Sequence, residues 1–597
     1  MFKFKLKEFN LPVIGRWFIL GSLVGIVAGV GAIIFFLMLQ GCSYIFLDYL
    51  GGMRVEETAG EPAFFGHAAT HFNRWIVLFL PALGGLISGF LVYRFAPEAE
   101  GHGTDAAIKA IHHKNGYIKW NVPVIKTIAS SITIGTGGSG GREGPIAQIG
   151  AGFGSFLGRI LNLTDREKRI LTAAGMGAGV GAIFRSPLAG AIFAAEVLYS
   201  SSDMEFEVLL PSTITSIIAY SIFCSFFGWD PLFATPAFRF DSPVELAGYT
   251  ILGFACALFG WLYVNTFYRI TAAFKAMKIS PYFKPAIGGM LTGIIGFWLP
   301  EAIGGGYANI ELAMNVHLSI LLLFILIFAK ILTTSFSIGS GGSAGIFGPS
   351  MVIGASVGGF IGLALNMLLP AIAPEPGAYV VVGMAGFFAG IASAPLSTII
   401  MVSEMTGNYH LLVPSMWVST LTFLLLRKTT MYRNQVEFRS DSPIHKGEFF
   451  LQVLQDIHVK DIMRPDPIVI REDMKFNDIV HFIAATKHNN FPVVKENGDL
   501  VGILLFEEIR EFVFEEGLES IVVAEEVCET DIPVIKPDNN LADAIEMIGF
   551  KNIELLPVVA AENEHRLVGI ITRRDIISTY NKVLRKRKTE NEQETDF

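Results

Sequence analysis

Residues 135 to 145 read GTGGSGGREGP, and residues 339 to 349 read GSGGSAGIFGP. Seven of the eleven positions are identical at an offset of 204, and both stretches interrupt strongly apolar sequence with bare glycine backbone. A second pair follows at nearly the same offset. Gly175 to Val197 (GMGAGVGAIFRSPLAGAIFAAEV) matches Gly383 to Met405 (GMAGFFAGIASAPLSTIIMVSEM) at the Gly-Met start, the central Pro-Leu and the Glu196/Glu404 pair. The chain therefore carries a duplicated unit whose strongest identity lies at its glycine breaks. Taken alone, Gly135-Thr-Gly137-Gly-Ser-Gly140 satisfies the dinucleotide fingerprint GxGxxG, which needs a strand before it, a helix after it and an acidic residue about 20 positions on. A soluble phosphate-binding fold gives no reason for the break to recur in a partner half beside apolar spans.

Charge divides the 597 residues near position 440. Residues 441–597 hold 31 acidic and 18 basic side chains, whereas residues 1–440 hold 23 acidic and 27 basic. The two parts are built for different solvents, lipid for the first and water for the second. Phe18 to Leu39 (FILGSLVGIVAGVGAIIFFLML) has no charge and is long enough to cross a bilayer. It is longer than a signal-peptide core and lacks a small-residue cleavage site. Several later runs, near 121–134, 146–161, 170–198 and 378–403, are shorter or broken by glycine. Broken membrane helices persist only where the freed backbone lines a cavity or is buried in protein. Lys3, Lys5, Lys7 and Arg16 precede the first span and favour a cytoplasmic N-terminus. The four cysteines are scattered, with no metal spacing or disulfide framework.

Duplicated membrane halves with interrupted helices point to a transport fold whose site lies at the repeat interface. A glycine-rich turn feeding a helix N-terminus presents unpaired N–H groups and the positive end of a dipole, which together favour an anion. Two such ends near the bilayer midplane can hold an anion without the desolvation cost of a fixed buried charge. The halves differ at one place that matters: Glu143 in the first break stands opposite Phe347 in the second. A carboxylate among N–H groups that would otherwise hold an anion is a tethered competitor, able to leave when protonated. The alternative is an ordinary salt bridge to Arg142 or to another membrane charge.

At these residues the chain resembles the ClC family of chloride channels and chloride/proton exchangers, over about residues 15–440. GREGP (141–145), GIFGP (345–349) and EMTGNYHLLVP (404–414) carry the resemblance. It implies a mainly α membrane domain over residues 1–440, an inverted repeat of two halves with broken helices, assembled as a homodimer with one anion pathway per subunit. It also implies that Glu143 is the gate and that the anion is held by Gly141, Arg142, Glu143 and Gly144 from one break and Gly345, Ile346 and Phe347 from the other. Tyr432, in TTMYRNQ, resembles the tyrosine whose hydroxyl reaches the central ion. Two departures stand out. Where the family often has GSGIP, this chain has Gly101-His102-Gly103-Thr104-Asp105, so His102 replaces a serine; it either hydrogen-bonds the anion or points into the vestibule. Exchangers commonly carry an internal proton glutamate where Val197 stands, and Glu196 would face about 100° away on a helix.

Beyond a linker at 441–458, residues 459–513 and 523–584 form another repeat, each with an apolar Pro-Val-Val segment: NFPVVKENGDLVGIL and LLPVVAAENEHRLVGII. They resemble a soluble α/β tandem pair of cystathionine-β-synthase (CBS) domains. The second copy ends GIITRRD, where Gly569, Thr572 and Asp575 match the pattern that binds an adenine nucleotide (ATP, ADP or AMP). The first copy has Leu505 and Glu508 at the latter two places. A purely structural dimerisation module is the alternative. The tail 585–597 is a charged, solvated run.

These features predict a multi-pass protein of the plasma or inner membrane, with N-terminus and CBS pair cytoplasmic. Its partners are membrane lipid and chloride or other small anions, not nucleic acid. No cofactor is required, no metal site is indicated and no enzyme is implied. The absence of a titratable group at Val197 favours a chloride channel of the voltage-gated ClC type over the alternative, a chloride/proton antiporter. A divalent-cation transporter would need carboxylates along its path, and a nucleotide-dependent membrane enzyme would need a nucleophile–base or metal-ligand cluster.

Overall fold

The structure, a computed structural model, describes residues 13–54, 58–62, 64–65, 71–486, 488–506, 509, 522–551 and 553–594. Lys3, Lys5 and Lys7, together with Glu508 and the end of the charged tail, lie outside the described residues. The chain divides into two compact units, Met1–Ile444 and His445–Phe597.

Helices build the first unit. In chain order these are α1 (Val13–Ser43), α2 (Arg74–Phe95), α3 (Thr104–His113), α4 (Asn121–Gly135), α5 (Glu143–Ile160), α6 (Asp165–Ile183), α7 (Pro187–Glu196) and α8 (Phe206–Phe227). A corresponding series follows: α9 (Glu245–Ala276), α10 (Lys284–Trp298), α11 (Tyr307–Met314), α12 (Ile320–Gly339), α13 (Phe347–Leu368), α14 (Pro376–Ala392), α15 (Pro395–Thr406) and α16 (Leu412–Leu425). Six of them (α1, α2, α8, α9, α12 and α13) are long and apolar enough to cross a membrane. By contrast α3, α7, α11 and α15 have only 8 to 12 residues. Local sequence sets these boundaries. Proline, whose fixed φ suits a first turn, opens α7, α14 and α15. Thr164 and Glu167 form a capping box that opens α6, and Asn73 caps α2.

The two series are related as an inverted repeat, visible in contacts that recur with the partners exchanged. A Cβ on Gly85 of α2 would come within 2.2 Å of Pro285 O in α10, and one on Gly289 of α10 within 2.0 Å of Pro81 O in α2. Inside each half, the Gly-Met segments cross a neighbouring helix at backbone contact. A Cβ on Gly175 would lie 2.3 Å from Gly150 O, and one on Gly383 would lie 2.4 Å from Gly354 O. Membrane helices gain little from apolar burial against one another, so close backbone packing at small residues supplies much of their cohesion.

The second unit repeats a small α/β pattern. Strand β1 (Ile470–Arg471) runs parallel to β2 (Asn490–Val494), which pairs antiparallel with β3 (Leu500–Leu505). In the other copy β4 (Leu555–Val559) pairs antiparallel with β5 (Leu567–Thr572). The two Pro-Val-Val strands share even their irregularity, a register shift between Val493 and Val494 and between Val558 and Val559. Each copy has its own core, Ile470, Ile479, Phe491 and Leu504 in one and Leu541, Ile548, Leu556 and Ile571 in the other.

Gly383→Val drives two methyl groups into the α13 backbone, and overpacking of this kind costs about 1–3 kcal/mol. Thermal unfolding of the detergent-purified protein is expected to shift to lower temperature for Gly383→Val. No such drop is expected for Gly549→Ala, whose Cβ meets open space.

Candidate functional site

The two glycine breaks meet. Gly141 N donates to Gly345 O at 2.6 Å and Gly345 N donates to Gly141 O at 2.7 Å, a two-bond antiparallel bridge. Hydroxyl pairs reinforce it: Ser130 Oγ lies 3.0 Å from Ser343 Oγ, and Ser139 Oγ lies 2.9 Å from Thr334 Oγ1. Directly after the bridge, α5 begins at Glu143 and α13 at Phe347, neither with a side-chain cap. Their third residues, Pro145 and Pro349, carry no N–H. The first-turn amide donors are therefore those of Glu143 and Gly144 in one helix and of Phe347 and Gly348 in the other.

One of these donors is occupied by a carboxylate from the opposite half. Glu143, 3% exposed, accepts at Oε2 from Gly348 N at 3.1 Å. Its Oε1 is buried with no hydrogen-bond partner among the described residues. A Cβ on Gly141 would fall 2.1 Å from Glu143 Oε2 and 2.6 Å from Gly348 N, so only glycine lets the carboxylate sit there. Phe347, at the equivalent place in the other half, packs against Phe184 and Phe388 with ring centroids 4.8 and 4.2 Å away. The salt-bridge alternative for Glu143 finds a different pair: Arg142 binds Glu61 and stacks on Phe36 and Tyr307. Glu61 sits in polar sequence far from either break, and nothing in the sequence links it to Arg142.

His102 and Tyr432 approach from the other side. Their ring centroids lie 5.6 Å apart, and Tyr432 is 1% exposed. His102 Nδ1 is buried without a hydrogen-bond partner among the described residues. His102 also lines an open cavity of about 550 Å³ that carries Lys109, Gln148, Lys275 and Arg433. A smaller cavity of about 130 Å³, with Phe36, Glu61, Arg142 and Tyr307 in its walls, reaches the breaks at the opposite end. Glu143 thus stands in sequence between Arg142 of one cavity and Gln148 of the other.

Two pairs of ionisable side chains recur in both halves. Lys126 Nζ donates to Ala99 O and Gly101 O at 3.0 and 2.6 Å, and Lys330 Nζ to Ala302 O and Gly304 O at 3.2 and 2.8 Å. Each lysine holds a loop beside the breaks. The matching loops PEAEGHG (97–103) and PEAIGGG (300–306) are a further trace of the repeat that the sequence offers. Glu196 accepts from Leu396 N, Ser397 N and Ser397 Oγ at 2.8, 2.8 and 2.6 Å, capping α15. Glu404 returns the contact at the start of α7, accepting from Leu188 N and Ala189 N at 3.4 and 3.0 Å. The duplicated glutamates are therefore reciprocal helix caps. Val197, next to Glu196, is fully buried, and its carbonyl accepts from Gln435 Nε2 at 3.0 Å.

In the second unit Thr572 Oγ1 donates to Asp575 Oδ2 at 2.6 Å, and Arg464 Nη2 donates to Asp575 Oδ1 at 2.6 Å. Burial pushes this carboxyl up, but the hydrogen bonds from Arg464 and Thr572 outweigh it and hold it below the usual aspartate range. Gly569 lies in β5, where a Cβ would come 2.8 Å from Arg464 O. The three residues of GIITRRD are thus drawn together with Arg464, which the motif alone does not reveal. In the first copy Leu505 closes β3.

Residues 84–427 match the voltage gated chloride channel family, and residues 459–515 and 523–582 match the CBS domain. A ClcB-like chloride channel protein of Ralstonia nicotianae is 31% identical over 346 residues, covering 57% of this chain and 80% of the relative. An H(+)/Cl(-) exchange transporter ClcA of Vibrio parahaemolyticus is also 31% identical over 346 residues, covering 57% of this chain and 74% of the relative. The crystal structure of a eukaryotic CLC transporter superposes with a TM-score of 0.58 at 18% identity, over 94% of this chain and 98% of that one. The paired glycine breaks and the match over more than half of its length place this chain in the voltage gated chloride channel (ClC) family of membrane anion-transport proteins, with a tandem CBS pair at residues 459–582.

Proposed function

We propose that this protein exchanges chloride for protons across the membrane, with Glu143 as the shared gate. The observation that carries the reading is the Glu143 carboxylate held on Gly348 N, at the start of the other half's helix. An anion and a carboxylate cannot both use that donor. When Glu143 takes a proton, its charge is lost, the bond to Gly348 weakens, and an anion can take the same amides. When the anion leaves, the carboxylate returns and the proton is released. Anion and proton movement then alternate at one place, which is what exchange requires. The amides of Gly141 and Gly345, expected from the sequence to hold the anion, are spent on each other's carbonyls, so the anion's further contacts are the amides of Arg142 to Gly144 and of Ile346 and Phe347, with Tyr432 and His102 on the second side.

The exchange reading replaces the channel that Val197 favours. That inference rested on one missing titratable side chain, whereas a relative 31% identical is named an H(+)/Cl(-) exchange transporter. Val197 still supports a passive channel as the second reading, because no proton can be carried by its side chain. We assign residues 1–440 to transport, 441–458 to a linker, 459–513 and 523–584 to the two CBS domains and 585–597 to the tail. The assembly is a homodimer in the plasma or inner membrane, with N-terminus and CBS pair on the cytoplasmic side. The CBS pair takes an adenine nucleotide at Gly569, Thr572 and Asp575, where the carboxylate receives ribose hydroxyls once it leaves Arg464.

In liposomes with an imposed chloride gradient, the wild-type protein is expected to drive protons uphill. Glu143→Gln is expected to pass chloride without proton movement and without the wild-type dependence on pH. Wild-type chloride flux with no uphill protons would restore the channel reading, and unchanged pH dependence in Glu143→Gln would remove Glu143 as the gate. For the CBS site, Asp575→Ala is expected to weaken ATP, ADP or AMP binding to the purified full chain roughly tenfold, the usual cost of one charged hydrogen-bonding group. Calorimetry that detects no nucleotide binding at millimolar concentration would leave the pair a structural module.

A further inference from the structure

Exchange needs a titratable group on the Tyr432 side, since a bare proton in a low-dielectric interior is prohibitively costly. Val197 and its neighbours do not provide one. The Gln435 amide that binds Val197 O also donates to Tyr199 O at 3.3 Å and Ala392 O at 2.9 Å, and its Oε1 accepts from Thr430 Oγ1 at 2.6 Å. Glu196 is spent on the start of α15.

After Val197, however, the chain folds back on itself. Glu205 N donates to Ala195 O at 3.0 Å, which sets Glu205 beside the end of α7, two residues from Val197. Its side chain is only 7% exposed. Tyr199 Oη donates to Glu205 Oε2 at 2.6 Å, and Arg439 Nη2 lies 3.3 Å from Oε1. The two partners differ in access to water: Tyr199 is fully buried, whereas the Arg439 side chain is 37% exposed. Tyr199 in turn packs against His112, with ring centroids 5.6 Å apart, and His112 is 1% exposed and bonded to Ser442 Oγ and Leu198 O. Asp203 accepts from Arg439 N at 2.8 Å. The irregular segment that leaves Tyr432 runs directly into this cluster, where Val436 forms an isolated bridge with Tyr199 and Val436 O accepts from Ser200 N at 2.9 Å.

Resting on the exchange reading above, we propose that Glu205 is the carboxylate that loads protons from the cytoplasmic side. A hydronium at the Arg439 edge gives its proton to Oε1, so an O–H bond forms on the carboxyl and water is left behind. The carboxyl later returns that proton to water on the inner side and regains its charge, with no change of oxidation state. Among the described residues, four groups bear on the charge of Glu205. Arg439 and the Tyr199 hydroxyl favour the charged carboxylate, Asp203 opposes them, and His112 adds a positive charge behind Tyr199 whenever it is protonated. Loading therefore begins with Arg439 moving away, and Arg439 belongs to the segment that leads toward the CBS pair.

The test is the proton-to-chloride flux ratio of the full chain in liposomes. Glu205→Gln is expected to lower that ratio about a hundredfold, the low end of what a positioned proton-transfer group contributes, while chloride flux persists. Glu205→Asp, which keeps a carboxyl, is expected to retain part of it. Arg439→Gln removes the cation that favours the charged form, so proton movement is expected to extend to higher pH. A clamp holding the linker would instead make Arg439→Gln resemble Glu205→Gln. Either that resemblance or a wild-type ratio in Glu205→Gln overturns the assignment. A wild-type protein without uphill proton movement overturns the exchange reading, and this proposal with it.

Discussion

Everything at the centre of this molecule depends on the reciprocal backbone bridge between Gly141 and Gly345. Two hydrogen bonds of 2.6 and 2.7 Å tie two interrupted helices together end to end. Backbone groups freed from helices are tolerated at membrane depth only when protein or a lined cavity satisfies them. The bridge satisfies two donors and two acceptors at once, and what remains are the first-turn amides of α5 and α13, aimed at one place. The proposed anion site is thus a by-product of closing two helix breaks against each other. Side chains larger than hydrogen would fail here: a Cβ on Gly345 would lie 2.7 Å from Gly144 N and 2.8 Å from Gly141 O.

The same economy governs the buried charges. In a bilayer interior an ionised side chain is expensive and survives by pairing or by binding backbone dipoles. Lys126 and Lys330 each rest on two carbonyls, and Glu196 and Glu404 each rest on helix-start amides. Both pairs obey the repeat, so their roles are architectural. Glu143 breaks it, because its counterpart is Phe347. An asymmetric carboxylate on a symmetric frame has no counterpart to share a structural role, and this one sits on the donor that an anion would take.

Much of this was legible in the sequence, because a repeat exposes what is common and what is not. The offset of 204 identified the breaks, and the glycines announced close backbone approach that the structure realises at Gly141, Gly175 and Gly383. Helical periodicity sets Glu196 on another face from Val197, but it could not say that the Glu196 carboxylate caps α15. Contacts made by irregular segments were beyond reach. Arg142 meets Glu61 and Tyr199 meets Glu205 through folding back of irregular segments, which carry no period to read. The lack of a titratable group at Val197 likewise says nothing about Glu205, eight residues on, whose backbone returns to the end of α7.

The central claim, that Glu143 and an anion compete for the amides at the paired breaks, can be examined without transport. Bromide soaked into crystals of the wild-type protein and of Glu143→Gln can be located by anomalous diffraction. In the mutant, an additional bromide is expected within hydrogen-bond reach of Gly348 N, at the position of the wild-type carboxylate. Identical bromide positions in the two crystals, with nothing near Gly348 N in the mutant, would contradict it.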